Sequence, residues 1–173
     1  MKKILITGIP GSGKSTISNV LKTKKYYVID GLRKIGLAYW ADRRTGKKTV
    51  YESSVNLDWF REHVWTWDES VLNKLLKEND RELVFVCGVV PLEPKIFEYF
   101  DKVFLLRITT VLIRQRIEQR TENEFSKNPH FVDWVLSWYD DFESRLLKYG
   151  AIPIDATKPV AEVVDEILSQ KVH

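Results

Sequence analysis

Short apolar runs alternate with amphipathic stretches along the chain. Lys3–Thr7, Tyr26–Asp30, Glu82–Gly88, Lys102–Ile108 and Ala151–Asp155 are compact runs dominated by Val, Ile, Leu, Phe and Tyr. They lack the in–out alternation of a half-buried strand, so each predicts a strand covered on both faces. Between them, Ser15–Thr23, Asp68–Lys77, Leu92–Phe100, Thr110–Arg120, Phe131–Lys148 and Pro159–Gln170 read as helices. This order predicts an α/β fold of three layers, with a five-stranded parallel sheet between helices. Two stretches break the alternation. Gly31 to about Trp67 mixes charges and aromatics without a clear period, although Asp42-Arg43-Arg44-Thr45-Gly46 reads as a turn, a hairpin tip. Thr121–His130 is polar and ends in Asn128-Pro129. Loops this long inside a compact domain are usually functional or mobile.

Composition narrows the picture. The chain of 173 residues fits one domain, 1–173, with no internal repeat. A hydrophobic fraction of 44% argues against disorder. The single cysteine, Cys87, can form neither an internal disulfide nor a cysteine-rich zinc site, so a reducing, cytoplasmic setting is expected. Cys87 itself reads as a small buried residue. No apolar run approaches a membrane span, and Ile4-Leu5-Ile6 stops too soon at Gly8 and Pro10 to serve as a signal peptide. A formal net charge of +3 is too small to imply nucleic acid by itself. Six tryptophans are many for this length, and four of them fall between residues 40 and 67.

The most specific chemistry lies near the start. Gly8-Ile9-Pro10-Gly11-Ser12-Gly13-Lys14-Ser15 fits G-x-x-x-x-G-K-[ST], the P-loop, at every fixed position. It also lies where that motif must lie, after a predicted strand and before a predicted helix. Glycines let successive N–H groups point into one cavity, and the following helix adds its positive end. Lys14 can reach the β- and γ-phosphates of ATP, and the Ser15 hydroxyl can ligate Mg²⁺. Pro10, Ser12 and Thr16 complete the expected ATP-binding set.

With this motif in place, the chain resembles the nucleoside-monophosphate-kinase-like branch of P-loop kinases, which includes adenylate, shikimate and gluconate kinases. Ile154-Asp155-Ala156-Thr157-Lys158-Pro159-Val160 resembles the D-G-T-K-P-V segment of adenylate kinases, with Ala156 in place of their glycine. Arg116-Ile117-Glu118-Gln119-Arg120 resembles their R-x-x-x-R, and Thr121–His130 has the length of a short lid. The resemblance implies a three-layer P-loop fold with an acceptor-binding insertion at about 31–67 and a lid at about 116–130. It also implies adenine held near Thr157, Lys158 and Pro159, Arg116 beside it, and Arg120 on the phosphates. Independently of the family, arginines at 116 and 120 share one helix face, where guanidinium groups can stabilise charge on a transferring phosphoryl group. The same pattern also suits an ordinary charged face paired with Glu118 or Glu122.

The acceptor side is less specific. Asp30 ends the second predicted strand, and strand carboxyl ends face the ligand crevice in such sheets. It can accept a hydroxyl proton or hold Mg²⁺ through water, and it can equally cap a turn before Gly31. The third strand ends in Cys87-Gly88-Val89-Val90-Pro91, without the acid or arginine of the adenylate kinase D-G-F-P-R motif. That favours a hydroxyl acceptor, whereas Gly31-Leu32-Arg33 echoes the family's D-M-L-R and would let Arg33 bind a phosphate. Taken singly, burial habits place a tryptophan in the core. As a group, Trp40, Trp59, Trp65 and Trp67 are expected to shape or line the acceptor pocket, and Trp134 and Trp138 to pack under the lid. His63 reads as a solvated or hydrogen-bonded side chain. The expected activity is transfer of the γ-phosphate of Mg-ATP to a small-molecule hydroxyl, on a nucleoside or related metabolite. The alternatives are a nucleoside monophosphate kinase, a nucleic-acid 5′-end kinase, and a nucleotide-binding switch or ATPase without an acceptor.

Overall fold

The computed structural model describes residues 1–78, 81–119 and 124–170. In chain order the elements are β1 (Lys2–Thr7), α1 (Lys14–Thr23), β2 (Tyr27–Ile29), β3 (Ala38–Asp42), β4 (Lys48–Thr49), α2 (Leu57–Glu62), β5 (His63–Trp67) and α3 (Glu69–Lys77). There follow β6 (Leu83–Cys87), α4 (Pro94–Phe97), β7 (Lys102–Arg107), α5 (Thr110–Glu118), a 3₁₀ turn at Glu124–Lys127, α6 (Phe131–Lys148), β8 (Ile152–Asp155) and α7 (Val160–Gln170).

The main sheet has five parallel strands in the order β2-β6-β1-β7-β8. Its apolar runs are buried on both faces, as Ile4, Leu5, Ile6, Phe85 and Phe104 at 0–1% exposure illustrate. Helices α1 and α7 pack on each other, as do α5 and α6. Helix α6 turns Phe131, Val135, Tyr139, Phe142 and Leu146 inward, a run at helical spacing. The α/β class and the parallel sheet agree with the sequence reading. The expected helix Leu92–Phe100 shortens to one turn that begins at Pro94, a residue suited to the first helical position.

The insertion departs more. Where the sequence offered no period, β4, β3 and β5 form a three-stranded antiparallel sheet, with Trp40 opposite both Thr49 and Trp65. The β3–β4 connection is the hairpin expected at Asp42–Gly46. Asp42 Oδ1 accepts from the Arg44 and Thr45 amides and the Thr45 hydroxyl, which fixes the turn.

Candidate active site

The loop between β1 and α1 is shaped by glycine. Gly8 lies at φ 154°, and a Cβ there would stand 2.6 Å from Ser12 Oγ and 2.9 Å from the Leu106 carbonyl. Gly13, at φ 100°, precedes α1 and gives it no side-chain cap, so the first-turn N–H groups of a ten-residue helix stay available to an anion. Lys14 Nζ donates to the carbonyls of Gly8 and Ile9, each at 2.7 Å, and to Ser12 Oγ at 3.1 Å. The ammonium thus lies folded over the loop. Ser15 and Thr16 are exposed in the first turn of α1.

A cavity of about 440 Å³ opens beside this loop, lined by Gly11, Ser12, Gly13 and Thr16 on one side and by Arg116, Gln119, Ala156 and Lys158 on the other. Arg116 Nη1 donates to the Gly11 carbonyl at 3.3 Å. Gln119, Ala156 and Val160 line it without having been among the expected site residues. Gln119 sits inside the R-x-x-x-R segment, and the small Ala156 occupies the place of the family's glycine. Arg120 lies outside the described residues. Thr157 does not join this cavity. Its amide and hydroxyl both donate to Asp155 Oδ1, a tight turn that directs the side chain to a second cavity of about 460 Å³ with Arg107, Thr109 and Tyr139. Ala156 and Lys158 thus line the first cavity and Asp155 and Thr157 the second, while Lys158 Nζ donates to Glu166 on the wall of the second at 3.1 Å. Pro159, ahead of α7, lines neither cavity among the described residues. The phosphate loop lines the first of these cavities and not the second, where Arg107 is paired with Glu143 at 3.0 Å.

Asp30 stands at the end of β2, against α1. Ser18 Oγ, fully buried, donates to Asp30 Oδ2, and Lys22 Nζ donates to Oδ1 at 2.8 Å. Burial pushes the carboxyl up, but the hydrogen bonds from Lys22 and Ser18 and the Lys22 charge outweigh it, leaving Asp30 below the usual aspartate range. Ser18 and Lys22, four apart on one helix face, were the unread signal for this arrangement. Cys87 ends the neighbouring strand β6, where the sequence lacked an acid. Burial, and then the Asp30 charge, push its thiol up to about 12, so it stays protonated.

The tryptophans divide. Trp40 and Trp67 are each 4% exposed and belong to the core, the place that burial habits give a tryptophan taken singly. Trp40 is enclosed by Trp59, Phe60, Trp65 and Trp134, with centroids 5.1–5.9 Å away. Nε1 of Trp65 and of Trp67 both donate to the Val89 carbonyl, at 3.0 and 3.1 Å, just beyond β6. Trp59 and Trp65 are partly exposed. Trp59 stacks on His63 at 4.0 Å, while His63 Nδ1 donates to the Trp59 carbonyl. Trp134 stacks on Phe60 at 4.6 Å and meets Trp138, so α6 closes the cluster. Arg33 is exposed and lies over the Phe125 ring, 5.2 Å from its centroid. Phe125 also meets Tyr51 at 4.4 Å and Phe131 at 5.1 Å. The aromatic cluster therefore joins the insertion to the 3₁₀ turn and to α6.

This sheet order, with a glycine-shaped phosphate loop feeding α1, is the fold of P-loop kinases of the nucleoside-monophosphate-kinase-like branch. A family model described as an AAA domain matches residues 4–147, and the chain belongs to that family. Among solved structures, a shikimate kinase from Acinetobacter baumannii in complex with shikimate is similar at TM-score 0.61 and 16% identity, covering 100% of this chain and 96% of that one. A deoxyadenosine kinase from M. mycoides, with products dCMP and a flexible dCDP bound, is similar at TM-score 0.56 and 17% identity, covering 97% of each chain. A gluconokinase from Sinorhizobium meliloti 1021 is similar at TM-score 0.55 and 18% identity, covering 98% and 91%. No curated protein matches the chain. Among the described residues, no helix is long and apolar enough to cross a membrane.

Proposed function

We propose that this chain is an ATP-dependent phosphotransferase acting on the hydroxyl of a small molecule, a nucleoside or related metabolite. The observation that carries the reading is the placement of Asp30. One helix, α1, presents Lys14 to the phosphate loop and, one and two turns on, holds Asp30 through Ser18 and Lys22. The cradle fits Mg-ATP: a loop too tight for a side chain at Gly8, uncapped N–H groups behind Gly13, and hydroxyls at Ser15 and Thr16. Ser15, and Asp30 through water, would hold Mg²⁺, which supplies charge neutralisation to the phosphate oxygens.

In this reading Lys14 leaves the Gly8 and Ile9 carbonyls for the β- and γ-phosphates. Arg116, on the cavity wall, adds charge that offsets the nucleotide, and Arg120 is proposed to act with it. Asp30 stays ionised, and a carboxylate with a lowered pKa is a weak proton acceptor. Its part is to accept a hydrogen bond from the acceptor hydroxyl and aim that oxygen, which suits a loose transition state. A hydroxyl acceptor is further supported by the end of β6, where no side chain offers charge and the Val89 carbonyl is taken by two indoles.

The test is an acceptor panel coupled to ADP formation, with nucleosides, their monophosphates, shikimate and gluconate side by side. The reading expects acceptor-stimulated ADP release with an uncharged hydroxyl compound. Stimulation by monophosphates alone would assign a monophosphate kinase, with Arg33 on the acceptor phosphate. Slow ADP release that no acceptor changes would assign an ATPase or switch.

A further inference from the structure

The tip of the β3–β4 hairpin carries four cations that the phosphotransfer site does not use. Arg43, Arg44, Lys47 and Lys48 are all exposed, and among the described residues none makes an ion pair with a carboxylate. Some exposed cations elsewhere do, as in Lys22–Asp30, Arg61–Asp58, Arg114–Asp133 and Lys158–Glu166, and what sets the tip apart is four adjacent cations without such a pair. The one acid of the tip, Asp42, feels the Arg44 charge but is occupied in holding the turn. Asp68, which feels the Lys48 charge through space, is likewise occupied in capping α3. Residues 31–67 hold seven Lys and Arg against four Asp and Glu, so the formal excess of +3 on the whole chain resides in this insertion.

The cations are also preorganised. Gly46, at φ 69°, lets its amide return to the Asp42 carbonyl at 2.8 Å, and the Asp42 amide reaches the Lys47 carbonyl at 2.9 Å. Two basic pairs are therefore fixed on either side of one tight turn. Beside them lies the partly exposed ring of Tyr39, with Lys48 Nζ 5.4 Å from its centroid.

We propose that this hairpin tip is a docking surface for a single-stranded nucleic acid. The cations would take backbone phosphates, with the arginine forks suited to paired oxygens, and Tyr39 would offer a face for a base. Residues 42–48 contain no apolar side chain to enter a bilayer, which argues against a lipid surface. The ring beside the cations distinguishes the surface from one built for charge alone, as an acidic peptide would need. The inference does not rest on the kinase reading, because binding is measured without ATP.

The experiment follows fluorescence anisotropy of a labelled oligothymidylate of about twenty nucleotides against the full chain, over a range of salt. Four phosphate contacts predict a slope of about −2.8 in log affinity against log salt, so a fourfold rise in salt weakens binding roughly fiftyfold. Replacing Arg43, Arg44, Lys47 and Lys48 by Gln, with a thermal melt to verify folding, should abolish binding at moderate salt. Tyr39→Leu should weaken binding by about tenfold at an unchanged salt slope. The proposal is overturned by no binding at low salt, or by binding that the fourfold variant retains. It is also overturned by an affinity insensitive to Tyr39→Leu, or by phosphatidylserine vesicles or polyglutamate binding as tightly as the oligonucleotide.

Discussion

Asn128 Nδ2 donates to the Val55 carbonyl at 2.7 Å, tying the segment ahead of α6 to the insertion across 73 positions of sequence. Asn128 is only 2% exposed, and its Oδ1 accepts from the His130 amide at 2.8 Å. Losing the donor leaves a buried carbonyl unpaired, so Asn128→Ala should cost about 1–3 kcal/mol. Asn128→Asp keeps the acceptor for His130 but sets an oxygen against the Val55 carbonyl, and should cost at least as much at neutral pH. Urea midpoints at constant slope check both.

Phe60 is the centre of the aromatic contacts, 1% exposed and touching Trp40, Tyr51, Trp59, Phe131 and Trp134. Phe60→Ala should destabilise by about 3–5 kcal/mol, because rings this interlocked cannot collapse into the void. Thermal unfolding measures it, and a loss below 1 kcal/mol would mean that the cluster packs loosely.

The phosphate loop predicts a separation of effects. Lys14→Ala should lower ADP formation by roughly a hundredfold or more, since it removes the charge proposed for the phosphates, while the melting temperature falls only by what the lost bonds to Gly8, Ile9 and Ser12 contribute. Gly8→Ala should lose both nucleotide binding and stability, because its Cβ meets the Leu106 carbonyl, which is backbone and cannot step aside.

Asp30 predicts a pH dependence of defined sign. Its folded pKa is depressed, so the stability it contributes is present above the unfolded value, about 4, and disappears as pH falls through the folded one. The gap in urea midpoint between wild type and Asp30→Asn should be constant above about pH 5 and close at lower pH. Asp30→Asn should also retain ATP binding and lose transfer. Full transfer in that variant would remove Asp30 from the mechanism.

The parallel sheet and the phosphate loop were readable because their information is local: each strand is one apolar run, and the cradle is eight contiguous residues. The insertion was not. Strand β3 buries Ala38, Trp40 and Ala41, so residues on both of its faces are covered and the period of two vanishes. The destination of the tryptophans was also hidden, since Trp40 meets Trp134, 94 positions further along the chain. Asp30 was picked out by its place at a strand end, yet its partners required knowing which face of α1 turns toward β2. The turn of Thr157 toward the second cavity followed from a side-chain bond to Asp155 that no motif encodes.

The arrangement of the indoles has an optical consequence. Trp40, Trp59, Trp65, Trp134 and Trp138 form one continuous series of neighbours, with Trp67 apart against Phe100. Among the described residues no tryptophan lines the cavity beside the phosphate loop. Five of the six tryptophans thus stand in the wall between the insertion and α6, so ultraviolet emission reports chiefly on that wall. The molecule carries its own dye, blind to the phosphate loop and placed to register whatever disturbs that wall.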